Sequence, residues 1–94
     1  MSLLMYNLNM TAFQKAIEKV LQGKSDTNIS FSDLRLILTQ LGFSERIKGS
    51  HHIYFKEEIL EIINIQPDGS KAKPYQVKQV RNLILKYKLA GQYD

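Results

Sequence analysis

Apolar residues recur along this chain with two different periods. Phe13, Ile17 and Val20 stand at i, i+4 and i+7, with Ala16 and Leu21 widening the stripe, which predicts an amphipathic helix over 11–21. Thr11 and Gln14 have the spacing of a capping box, and Gly23 stops the run before the polar connection Gly23-Lys24-Ser25-Asp26-Thr27-Asn28. Leu34, Ile37, Leu38 and Leu41 repeat the helical pattern. Ser32 is the expected N-cap of that second helix, Asp33 favours its dipole, Phe31 and Leu36 can staple it, and Gly42 supplies a left-handed exit. From Gly49 the period falls to two. Residues 50–56 alternate as a strand, 60–66 form an isoleucine-rich second strand, and 43–47 can add a third. Pro67-Asp68-Gly69-Ser70 reads as a turn, and Pro74 opens a last helix whose stripe is Val77, Val80, Leu83, Ile84 and Tyr87, ending near Gly91.

The order is α-α-β(β)β-α, an α+β fold. Its α-β-β-β-α part matches a sandwich of the double-stranded-RNA-binding-domain (dsRBD-like) type, preceded by an additional N-terminal helix. Ninety-four residues suffice for a single domain over 1–94 with one modest core. No apolar run is long enough to cross a bilayer and no charged leader precedes one, so a cytoplasmic protein with no membrane partner is expected. The chain has no cysteine, which excludes disulfides, a thiol nucleophile and a thiolate metal site.

Charge narrows the function further. The net charge is +4. Residues 1–45 balance Lys15, Lys19, Lys24 and Arg35 against Glu18, Asp26, Asp33 and Glu45, so the excess lies in the carboxyl half. Residues 71–88 hold Lys71, Lys73, Lys78, Arg81, Lys86 and Lys88 with no acid. A one-signed stretch of this kind concentrates polyanions.

Both histidines, His51 and His52, follow the Gly49-Ser50 turn. Histidine exchanges protons near neutral pH. Consecutive strand residues point to opposite faces, so the two imidazoles diverge. They make a poor metal site, and one is expected to act while the other packs or meets solvent. His51 shares parity with Ile53 and Phe55, which lean inward; His52 shares it with Tyr54, and either side remains possible as the open face.

Phe31-Ser32-Asp33-Leu34, Leu41-Gly42-Phe43, Lys48-Gly49-Ser50-His51-His52-Ile53-Tyr54 and Val80-Arg81-Asn82-Leu83-Ile84-Leu85 together resemble the HicA (YcfA-like) toxin family. Those proteins are small mRNA interferases paired with HicB antitoxins. The resemblance covers about 31–90, leaving 1–30 as an N-terminal extension. It implies that His51 is catalytic and that Gly49 belongs to the functional motif. The exit Ile65-Gln66-Pro67 departs from the family's frequent Val-Pro-x-His ending.

The implied activity is a metal-independent endoribonuclease that cuts mRNA without a cofactor and is neutralised by a HicB-like antitoxin. RNA supplies its own nucleophile, the 2′-hydroxyl, so one imidazole can manage the proton transfers, a contribution of about 10²–10⁴-fold. Ser50, Lys48, Lys71 and Lys73 are the expected RNA contacts beside Gly49, with Arg46 also flanking the turn. Tyr54 can stack on a base, although a strand tyrosine more often packs. The alternative is a non-catalytic RNA-binding module of the same fold. A helix-turn-helix DNA binder ranks lower, because the polar connection between the first two helices is too long for that turn.

Overall fold

Thr11 starts the first element of the computed structural model, which describes residues 10–91. Its hydroxyl accepts from the Gln14 amide while its own amide donates to the Gln14 side chain. This capping box opens α1 (Ala12–Gln22), and Gly23 ends it with φ 72°. Ala16, Ile17 and Val20 are its buried face. The polar connection folds into one 3₁₀ turn, Asp26–Asn28. Asp26 receives a forked pair of bonds from Arg81, at 2.8 and 3.0 Å, and Arg81 also donates to the Val20 carbonyl. The residues before Met10, the stretch where no leader is expected, lie outside the described residues.

The second helix, α2 (Phe31–Gln40), begins earlier than expected. Ser30, not Ser32, is its cap, accepting from the Asp33 amide at 3.0 Å. The choice between the two serines is tertiary. The Phe31 amide donates to the Ser70 carbonyl, which holds Ser30 in extended backbone. With the cap at Ser30, the staple positions become Ile29 and Leu34, both buried. Gly42 leaves the helix with φ 94°, as the pattern requires.

Three antiparallel strands follow in spatial order: β1 (Ser44–Lys48), β2 (His51–Phe55) and β3 (Ile63–Ile65). β3 is shorter than the 60–66 run suggested. Glu61 turns aside to accept from Lys86 at 2.8 Å and from the Tyr87 hydroxyl at 2.6 Å, so side-chain bonds tie the residues before β3 to the last helix. The Pro67–Ser70 turn is the tip of a small hairpin, β4 (Pro67–Asp68) and β5 (Lys71–Ala72). Pro74 occupies the first turn of α3 (Pro74–Tyr87). That helix ends before Gly91, because Lys88 turns left-handed and the Leu89 amide closes back on the Ile84 carbonyl.

Among the described residues, α1, α2 and α3 pack on one side of the three-stranded sheet. Tyr54, Ile63 and Ile65 meet Ile17, Val20, Leu34, Ile37, Leu38, Val77, Val80 and Ile84 in one core. The fold is α+β, an α-β-β-β-α arrangement with α1 ahead of it. The other side of the sheet carries exposed Ser44, Arg46, Lys48, His51 and Phe55, while Ile47 is exposed on the parity that faces the helices.

Candidate active site

The β1–β2 connection is a two-residue hairpin, Gly49-Ser50. Gly49 has φ 61° and Ser50 stays out of the left-handed region, the pattern of a type II′ turn with glycine first. A side chain at Gly49 would meet open space, so backbone handedness alone demands glycine there. The turn pairs Lys48 with His51 across the strands and brings both to the tip of the hairpin.

From the tip, the pleat sorts the side chains. Tyr54 is fully buried and His52 only 12% exposed, so their parity faces the helices. His51 and Phe55 are exposed, so their parity faces out. The inward lean expected for Ile53 and Phe55 is therefore reversed: Ile53 is only partly buried and Phe55 is 44% exposed. Tyr54, with its long apolar ring and the part-buried Glu45 carboxylate as acceptor, takes the core instead.

His51 sits between two neutral amides. Its Nδ1 is 3.2 Å from Asn64 Oδ1 and its Nε2 is 3.0 Å from Gln66 Nε2. Gln66 also donates to Ser50 Oγ at 3.3 Å and accepts from Lys73 Nζ at 3.4 Å. These contacts assign the protons. An ammonium is only a donor, so the Gln66 atom facing Lys73 is its oxygen and the atom facing His51 is its NH₂. His51 Nε2 is therefore the acceptor, and its proton is on Nδ1, donated to Asn64. The imidazole is held as a base with its lone pair at Nε2.

Gln76 builds the floor of this arrangement. It is 3% exposed, donates to the Asn64 carbonyl and accepts from the Gln66 amide, both at 3.3 Å. That pair of bonds is what a neighbouring strand would make with β3, so the first turn of α3 closes an open sheet edge and fixes the backbone carrying Asn64 and Gln66.

His52 has different company. Its Nδ1 is 3.3 Å from Glu45 Oε2, and its ring stands edge-on to Phe31 with centroids 4.9 Å apart. Arg35 forks onto the same carboxylate with two bonds of 3.0 Å, and the Tyr54 hydroxyl donates to it. The Arg35 guanidinium holds the Glu45 carboxyl at about 2, far below its ordinary value. Burial, reinforced by the Glu45 charge, pushes the Tyr54 phenol up.

The expected RNA contacts separate. Gly49, Ser50, Lys48 and Lys73 gather at His51, and exposed Arg46 follows Lys48 on the outward side of β1. Lys71 is turned away: its ammonium bonds Asn28, the last residue of the 3₁₀ turn, drawn there by the pairing of β5 with Ser30. Tyr54 packs instead of offering a ring to a base. No motif in the sequence marks Asn64, Gln66 or Gln76 as site residues. Asn64 and Gln66 are polar at alternate positions of an isoleucine strand, a signal that they share an outward face. Among the described residues no group of three or more His, Cys, Asp or Glu side chains is placed to hold a metal ion.

Residues 31–91 match the model of a family described as HicA toxin of bacterial toxin-antitoxin. The match spans well over half of the chain, which therefore belongs to the HicA toxin family, and it begins at the first residue of α2. No curated protein and no solved structure matches the chain. Membership makes this a toxin of a toxin–antitoxin system and implies a cognate antitoxin. Among the described residues no helix is long and apolar enough to cross a membrane.

Proposed function

We propose that this HicA-family toxin is an endoribonuclease, an mRNA interferase, in which His51 is the acid–base catalyst. The observation that carries this reading is the pair of amide contacts on His51, Asn64 at Nδ1 and Gln66 at Nε2, which leave Nε2 as the acceptor with Lys48 and Lys73 nearby. The 2′-hydroxyl beside the scissile phosphate gives its proton to Nε2 as its oxygen attacks phosphorus. The bond from phosphorus to the 5′-oxygen breaks, and the imidazolium returns the proton to that leaving oxygen. Asn64 accepts from Nδ1–H throughout and favours the imidazolium between the two transfers.

Gln66 must move for this to happen. Its NH₂ covers the Nε2 lone pair at rest, and once Nε2 is protonated two donors would face each other. Displaced by substrate, the same NH₂ is free to donate to a phosphorane oxygen, joined by Ser50 Oγ and the Lys48 and Lys73 ammonium groups. RNA brings its own nucleophile, so the sequence of steps needs no metal ion. The chain acts as a single domain in this reading, in the cytoplasm where mRNA is found, and a HicB-like antitoxin neutralises it by covering His51.

The reading is tested by the ends of the cut RNA. Purified protein should leave 2′,3′-cyclic phosphate and 5′-hydroxyl termini, with EDTA making no difference. Products with 5′-phosphate, or loss of cleavage in EDTA, would defeat it. The non-catalytic alternative makes a separate claim: induction would arrest growth equally with the native chain and His51→Ala.

A further inference from the structure

The outer face of the sheet holds more than the catalytic tip. Register and pleat place Ser44, Arg46 and Lys48 of β1, His51, Ile53 and Phe55 of β2, and Asn64 of β3 on the side away from the helices. None of these is an acid, and two are cations. They lie in cross-strand pairs: Lys48 beside His51, Arg46 beside Ile53, Ser44 beside Phe55. A cleft of about 610 Å³, lined by Gly42, Ser44, Phe55, Lys56 and Glu57, opens beside the Phe55 ring.

The spacing is that of a nucleic-acid strand. Same-face neighbours on a strand are about 6.6 Å apart, comparable to the step between phosphates of an extended single strand, and His51 to Phe55 is two such steps, about 13 Å. A catalytic group, then cations alongside, then an exposed aromatic ring two steps on is how an open sheet reads single-stranded RNA, by stacking bases that a duplex keeps hidden. An apolar protein surface would find the same phenyl ring, but it would also have to cover Arg46 and Lys48, and none of the outward strand residues beside them is an acid.

We propose that this face is a track for single-stranded RNA, with the scissile phosphate at His51, flanking phosphates on Lys48 and Arg46, and the base two nucleotides away stacked on Phe55. The proposal rests on RNA being the substrate of His51, and it adds a base-stacking site that the catalytic tip does not contain.

The test measures binding by fluorescence anisotropy to a short single-stranded 2′-O-methyl oligoribonucleotide, which lacks the nucleophile and cannot be cut. Phe55→Ala should weaken binding about tenfold, whereas Phe55→Trp should keep it, each variant being checked for an unchanged melting temperature. Arg46→Gln and Lys48→Gln should each lower the slope of log affinity against log salt by about 1. A duplex of the same sequence should bind more weakly than the single strand and ignore the change at Phe55. Native affinity in Phe55→Ala, or a duplex bound as well as the single strand, overturns the track and leaves this face to a protein partner. The two readings fail separately. A native chain that binds through Phe55 yet never cuts RNA keeps the track and loses the nuclease; one that cuts normally as Phe55→Ala does the reverse.

Discussion

His51 and His52 are neighbours in sequence and opposites in structure. The outer imidazole is exposed and held by two neutral amides, Asn64 and Gln66. The inner one is almost covered, edge-on to Phe31 and bonded to a carboxylate that Arg35 and Tyr54 share. Neutral partners fix a tautomer without adding charge, which leaves a base poised at the surface. A shared carboxylate ties together α2, β1 and β2, which is a task of stability. One pleat thus gives the same residue type two occupations.

Exchanging each for alanine separates those occupations most widely. His51→Ala should lower RNA cleavage by about 10²–10⁴-fold while leaving stability within about 0.5 kcal/mol, since its side chain is exposed. His52→Ala should do the opposite. It loses the Phe31 edge contact and one bond to Glu45, at a cost of about 1–2 kcal/mol, and the folded fraction should still cut RNA. Cleavage assays beside urea unfolding of both proteins decide it; a dead but stable His52→Ala would reverse the assignment.

Removing the amide that holds the outer imidazole is a smaller blow. Asn64→Ala should lower kcat about tenfold with KM nearly unchanged, because the base is misplaced and no substrate contact is lost. Ring-nitrogen NMR shifts supply a readout that mere destabilisation would not move: the native chain should show Nδ1–H at His51, and Asn64→Ala a mixture. Identical nitrogen signals in the two proteins would mean that Asn64 does not set the tautomer.

Much of this contrast was legible in the sequence, and the part that was not has a physical cause. Alternation alone says that the histidines diverge, and Gly49-Ser50 says where the turn lies. Which side is open cannot be read from β2, because Ile53 and Phe55 on one parity are as apolar as Tyr54 on the other. The answer comes from Glu45 of β1, held in place by Arg35 of α2, which offers the Tyr54 hydroxyl a part-buried acceptor. The capping serine has the same history. Ser30 and Ser32 are equal candidates locally, and the choice is made by Ser70, forty residues later. Asn64 and Gln66 meet His51 only through strand pairing and the Gln76 bridge, which no local spacing announces. Lys71 looks like Lys73 in sequence, yet Asn28 captures it.

The smallest effect sought is on the inner face, in acid. Glu45 titrates at about 2 in the folded chain against an ordinary 4.5, so its charge stabilises the fold at neutral pH. The sign follows from linkage: a depressed carboxyl contributes in full above about 4.5, and the contribution drains away as pH falls toward 2. Undiscounted, that shift would be worth about 3 kcal/mol, but Arg35, its chief cause, is 40% exposed, and solvent screening brings the expected value to about 1 kcal/mol. Asp26 is depressed too, by Arg81, so the acid loss of the native chain alone would not isolate Glu45. The difference between native chain and Glu45→Gln does. Their unfolding free energies should differ most at neutral pH and converge between pH 4.5 and 2. A gap that stays constant down to pH 2 would mean that the inner histidine's carboxylate is held by packing and not by charge, and the two faces would then differ only in exposure.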